Sequence, residues 1–218
     1  MNALSFLKRP ANWMLRLLDL DGLFSLRRQG PLFEDGWFRS NRERASIDAS
    51  GEPLPWITYP AIEFIRRRVK PEMSIFEYGS GGSTRWWANL VSHVVSIEHD
   101  RQWFERLIAM RCDNIQLFQI DCISGGEYSN KVASYQNQFD IVVVDGEDRV
   151  NCIRNCLGAL TESGIVIVDN SDRSQYAEGI AFLSEHGFRR MEFVGLCPIV
   201  NLKSETSIFY RSNNIFGI

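Results

Sequence analysis

The stretch Ser74-Ile75-Phe76-Glu77-Tyr78-Gly79-Ser80-Gly81-Gly82-Ser83-Thr84 decides the fold. A short run of strand character breaks into glycines at 79, 81 and 82, and Ser83-Thr84 opens a helical segment through about Val91. Glycine lets the backbone approach a ligand closely, and the first turn of a helix offers N–H groups without intrahelical partners. A lone G-x-G turn is weak evidence. Here it lies between a strand and a helix, and Glu98 follows Gly79 by nineteen residues, a spacing suited to an acid that hydrogen-bonds the hydroxyls of a ribose.

The same alternation continues downstream. His93–Ile97 reads as a second strand, and Asp100 caps a helix carrying Trp103, Leu107 and Met110. Ile115–Ile120 is a third strand, and residues 139–145 form a near-continuous β-branched run of the kind buried on both faces. Val150, Ile153, Leu157 and Leu160 are spaced for a helix, and Gly164–Val168 is a fifth strand. Ser174–His186 reads as a helix stopped by Gly187; Phe188–Val194 and Thr206–Arg211 follow as two strands with no helix between them, so they should pair antiparallel. The pattern predicts an α/β fold: a seven-stranded, mostly parallel sheet with an antiparallel last strand and helices on both faces.

The 218 residues suit one such domain with an appendage, and 44% hydrophobic with 23% charged residues is ordinary for a globular chain. A net charge of −3 argues against a nucleic-acid partner, and no apolar run reaches the roughly 18 residues of a membrane span. Five cysteines without a C-x-x-C pair point to a reducing, cytoplasmic setting. Residues 1–58 read as an arm: Trp13, Leu17 and Leu20 mark one face of a docked helix, and residues 30–58 combine turn signals with Trp37, Phe38 and Trp56. The domain proper is residues 59–218, and the aromatic arm is expected to lie over its acceptor site.

Ligands of open α/β sheets bind outside the carboxyl ends of the strands. Five strands here end in Glu77, Glu98, Asp121, Asp145 and Asp169. One such carboxylate is commonly a cap, but five on one rim call for cations or hydroxyl donors. A dinucleotide fingerprint wants a third glycine where this chain has Thr84, and Glu77 beside the turn repels a pyrophosphate while tolerating an ammonium or a sulfonium. That favours S-adenosylmethionine over a nicotinamide dinucleotide.

The segments FEYGSGGSTRWWA, VVSIEHD, Asp121-Cys122, FDIVVVDG and GIVIVDN, in that order, resemble the motifs of class I S-adenosylmethionine-dependent methyltransferases across residues 56–211. The resemblance implies a Rossmann-like fold. It also implies that Gly79, Ser80, Gly81, Gly82 and Ser83 line the methionyl part of the cofactor, with Glu77 anchoring the turn or the ammonium. Glu98 would hold the ribose, Asp121 and Cys122 would stand by the adenine amino group, His99 and Trp103 would flank the adenine, and Asp145 would close the site. Asp145, Asp169 and Asn170 are similar to the metal ligands of catechol-type O-methyltransferases, which implies Mg²⁺ as a second cofactor. The lysine of that family is absent after Asp145, where Gly146-Glu147-Asp148-Arg149 stands. Metal-dependent sugar O-methyltransferases place a carboxylate there, making Glu147 or Asp148 the base. The expected activity is O-methylation of a small-molecule acceptor by a chain that forms no membrane span, with a homodimer left open. A nicotinamide-dependent oxidoreductase and a non-catalytic nucleoside-binding domain are the alternatives.

Overall fold

The computed structural model describes residues 13, 16–18, 20–108 and 112–218. Its strands are β1 (Ser74–Tyr78), β2 (His93–Glu98), β3 (Ile115–Gln119), β4 (Phe139–Val144), β5 (Leu160–Asp169), β6 (Arg189–Leu196) and β7 (Lys203–Tyr210). They form one sheet in the order β3-β2-β1-β4-β5-β7-β6. Strands β1 to β5 are parallel, and β7 runs antiparallel between β5 and β6. The order of strands reverses beside β1, which opens a crevice at the carboxyl ends of β1 and β4.

The β-branched runs are needed because both faces are covered. Phe76, Tyr78, Val142, Val144, Val166 and Val168 face one core, with Cys152, Ile153 and Leu183 from the helices α8 (Arg149–Cys156) and α9 (Ala177–Glu185). Ile75, Val94, Ile141, Val143 and Ile165 face the other, with Ile62 and Ile65 of α4 (Tyr59–Arg66) and Trp86 and Trp87 of α5 (Gly82–Ala88). Successive strand residues point to opposite faces, so an unbroken apolar run serves both layers, each buried Val or Ile adding about 1.5–3 kcal/mol. Between β1 and α5 the chain turns at Gly79, whose φ is +88° and where a Cβ would stand 2.8 Å from the carbonyl oxygen of Asp145. Only glycine meets both conditions.

Two readings need correction. Leu160 does not extend the helix before it; α8 ends at Cys156, a 3₁₀ turn spans Leu157–Ala159, and Leu160 opens β5 opposite Phe139. Its side chain is buried from the strand, so its helical spacing was coincidental. The arm is more ordered than its turn signals imply: α1 (Asp21–Leu26), α2 (Pro31–Glu34) and α3 (Trp37–Glu43) are short helices, with Pro31 opening α2 and Gly36 at φ +80° beside α3. Trp13 and Leu17 are exposed rather than docked. Residues 1–12 and Met110, which also entered the sequence reading, lie outside the described residues. The remaining helices are α6 (Arg101–Ile108) and α7 (Glu127–Asn130). Among the described residues no helix is long and apolar enough to cross a membrane.

Candidate functional site

The site begins at the end of β1. Glu77 is fully buried; its Oε2 accepts hydrogen bonds from Thr84 Oγ1 at 2.6 Å and Ser96 Oγ at 2.8 Å, while Oε1 is buried with no donor. Burial pushes its pKa up to about 7, against the hydroxyl donors that pull it down. Thr84 Oγ1 also accepts from the N–H of Gly81 at 2.9 Å. One hydroxyl therefore ties the turn to the carboxylate, which a glycine at position 84 could not do.

Glu98 holds the turn from the other side. Its Oε2 accepts from the N–H of Ser80 at 3.1 Å, and its Oε1 accepts from the N–H groups of His99 and Asp100, both at 2.8 Å. A carboxylate has about four lone-pair positions, so one remains free for an outside donor. Trp103 donates from Nε1 to the carbonyl oxygen of Ser80 at 2.7 Å; α6 buries no residue in the sheet, and its tryptophan covers the turn instead. The N–H of Trp103 is itself capped by Asp100 Oδ1 at 2.8 Å, as the sequence indicated. His99 Nδ1 lies 3.1 Å from Glu98 Oε1, and the ring stands edge-on to Tyr128. Asp121 is exposed and accepts from Gln119 Nε2 at 2.9 Å, and Cys122 beside it is half-buried, its thiol pKa raised first by burial and then by Asp148 and Glu147. A cleft of about 400 Å³ beside the turn is lined by Gly81, Thr84, Arg85, Leu107, Ile115 and Leu117, between α5, α6 and β3.

The other half of the rim is built around an arginine. Val144 and Val168 are partners in register, so Asp145 and Asp169 follow side by side on adjacent strands. Arg149, only 8% exposed, donates from Nε to the carbonyl oxygen of Gly146 at 2.8 Å, from Nη1 to that of Asp169, and from Nη2 to Asp145 Oδ1 at 3.1 Å. Thr206 Oγ1 donates to Asp169 Oδ1 at 2.6 Å. Burial raises the pKa of both aspartates, and the Asp169 charge raises that of Asp145 further. Asn170, at φ +51°, turns its amide to Ser204 Oγ at 3.0 Å.

That arrangement bears on whether Asp145, Asp169 and Asn170 suit Mg²⁺. Magnesium needs oxygen ligands open to one point. Here a guanidinium already stands on Asp145 Oδ1, Asp169 Oδ1 accepts from Thr206, and Asn170 points its NH2 group to Ser204, so a positive charge of the chain occupies the place where the ion would sit and the set fits Mg²⁺ poorly. Asp148 is not a free base either. Its oxygens accept from Ser124 Oγ at 3.1 Å, Asn151 Nδ2 at 2.9 Å and the N–H of Gly125 at 2.8 Å, donors that outweigh its partial burial and hold its pKa below the ordinary value. Glu147 is exposed.

The arm reaches this rim through the loop that follows β6. Trp37 Nε1 donates to the carbonyl oxygen of Val200 at 2.8 Å, Asn41 Nδ2 to that of Ile199 at 2.6 Å, and the N–H of Ile199 to Ser40 Oγ at 2.9 Å. They hold Ile199 at φ +73°, a strained conformation for a β-branched residue. Cys197, buried in the same loop, has its pKa pushed up to about 11 by burial, then by the charge of Asp169. The loop 46–54 closes the other side, with Leu54 O only 3.2 Å from where a Cβ on Gly82 would be. Sequence reasoning missed Arg149, Ser96 and the arm-to-loop contacts. Arg149 stands four residues after Asp145, but residues 145–148 are not helical, so that spacing did not by itself mark the ion pair.

No family model matches the chain, and no curated protein matches it by sequence. Solved structures do match in fold. A precorrin-6y C5,15-methyltransferase from Geobacter metallireducens GS-15 aligns with TM-score 0.56 at 13% identity, over 84% of this chain and 100% of that one. An S-adenosylmethionine-dependent O-methyltransferase from Thermotoga maritima aligns with TM-score 0.53 at 18% identity, over 72% of this chain and 67% of that one. A spermidine synthase from Thermotoga maritima aligns with TM-score 0.53 at 13% identity, over 69% of this chain; the chain spans 57% of that protein's length. The chain therefore has the Rossmann-like fold that these two methyltransferases and the spermidine synthase share. At such identities the likeness concerns the fold alone, and proteins with different reactions share it.

Proposed function

We propose that this protein is an S-adenosylmethionine-dependent methyltransferase acting on a hydroxyl of a small-molecule acceptor. The observation that carries the reading is the turn after β1, pinned by Glu98 on one side and by Thr84 and Glu77 on the other, with Glu77 Oε1 buried and lacking a donor. An unspent buried acceptor suits a ligand that brings a donor or a positive charge, and it disfavours a pyrophosphate. S-adenosylmethionine fits these residues: Gly79, Ser80, Gly81, Gly82 and Ser83 for the methionyl part, Glu77 for its ammonium side, Glu98 for the ribose, and His99, Asp121 and Cys122 for the adenine. The chemistry such a cofactor supplies is an electrophilic methyl group on a sulfonium.

The chain's own part is alignment, exclusion of water and removal of one proton. The arm and the loop after β6 form the acceptor lid, which orders the acceptor against the rim. Proton removal falls to Glu147, the carboxylate next to the rim that is not spent on a turn as Asp148 is. No step is routed through Mg²⁺.

Calorimetric titration with S-adenosylhomocysteine tests the reading. Wild type should bind it and not bind NAD. Glu98→Ala loses the one charge-assisted hydrogen bond that its carboxylate still has free for a ligand, worth about 1.5–3 kcal/mol, so affinity should fall at least tenfold, with Glu98→Gln intermediate. Glu147→Gln should bind the ligand normally and, once an acceptor screen finds a substrate, turn it over about 10²–10⁴ times more slowly. Binding of NAD instead, or unchanged affinity in Glu98→Ala, would overturn the assignment.

A further inference from the structure

Asp145 and Asp169 end adjacent parallel strands and follow the register pair Val144–Val168. Neighbouring strands are about 4.8 Å apart, so two carboxylates leave the sheet at the same edge within reach of each other. Like charges at that spacing, with Asp169 buried, call for a cation between them or a proton on one of them. In many carboxylate pairs a divalent ion meets this need. In this chain a side chain of the protein supplies the cation. Arg149 opens α8 four residues after Asp145 and lays its guanidinium across the gap, one nitrogen on the Asp145 carboxylate and another on the Asp169 main-chain carbonyl. Its Nε fixes the fork to Gly146, and the Tyr176 ring packs on it at 5.0 Å.

A guanidinium so placed is committed. Arginine stays protonated throughout the working pH range, and its planar fork matches acceptors lying in one plane. Arg149 is almost wholly buried, so leaving would strand its charge, and while it stays its positive charge opposes a second cation beside Asp145.

We propose that Arg149 is the resident cation of this rim: it takes the place of a divalent ion, holds Asp145 and Asp169 together, and keeps divalent cations out. Calling this rim the acceptor side rests on the methyltransferase reading; the exclusion of cations does not. Arg149 acts through the two aspartates, so it is a positioning residue.

The probe is Mn²⁺, titrated into chelator-treated full-length protein and followed by loss of the free-ion paramagnetic signal. Wild type should show no site that depends on Asp145. Arg149→Gln removes the charge and should gain one saturable Mn²⁺ site, which the double variant Arg149→Gln with Asp145→Asn loses. Arg149→Lys keeps the charge and should exclude the ion as wild type does. A wild-type site abolished by Asp145→Asn would overturn the proposal, and this comparison decides it even if Arg149→Gln proves unstable. A folded Arg149→Gln that gains no site would overturn it too. Titrating S-adenosylhomocysteine into the same samples keeps the two readings apart: failure of that ligand to bind would sink the cofactor assignment and leave the Mn²⁺ outcome standing.

Discussion

Glu77 is a carboxyl shut away from water, and the fold holds its proton more tightly than the unfolded chain does. Between the ordinary value of 4.5 and about 7 the unfolded state gives up that proton while the folded state keeps it. Stability from this group is therefore undiminished below about pH 4.5 and falls as pH rises through 7, by about 3 kcal/mol in full. Glu77→Gln removes the ionisation. Urea melts of the free protein should show the variant gaining on wild type by most of that amount between about pH 5 and pH 8. A gap that stays constant across those pH values would mean that Glu77 is ionised in the fold throughout. At this scale the sequence was readable where a residue broke a rule: Thr84 stood where a glycine belongs in another fingerprint, and its hydroxyl proved to tie the turn. Arg149 broke no rule, since an arginine opening a helix looks like any exposed basic residue until its burial is seen.

Among elements, the strands were legible and the arm was not. Each of β1, β2 and β4 carries an apolar run with no competing period, so position and type followed from pattern. The arm's short helices take their contacts from the far end of the chain: Trp37 reaches Val200 across 163 positions and Asn41 reaches Ile199 across 158. Nothing local marks a partner so distant. If this clasp shapes the acceptor lid, Trp37→Ala with Asn41→Ala should release Ile199 from its positive φ and let the loop after β6 swing. Acceptor turnover should then fall at least tenfold while affinity for S-adenosylhomocysteine changes little, because the turn after β1 makes none of these bonds. Equal losses in both would place the arm in the scaffold.

At the level of the whole molecule, strand order departs from chain order at one edge. The seventh strand is an interior one, set between β5 and β6, and β6 has no register with β5. On the ribosome β6 is therefore made before the strand it must pair with, and the outer edge of β5 stays bare meanwhile. At about 5–20 residues per second, the passage from residue 197 to residue 210 takes roughly 1–3 s. A bare apolar edge is a template for pairing with other chains, so that interval is when the nascent protein most needs a chaperone. The arm, synthesised first, waits through the same interval for the loop it will clasp. Chains arrested when residue 200 has just emerged should be cut readily by protease within β5 and β6, and chains arrested after residue 215 should resist. Equal resistance at both points would mean that β5 and β6 find shelter before β7 exists.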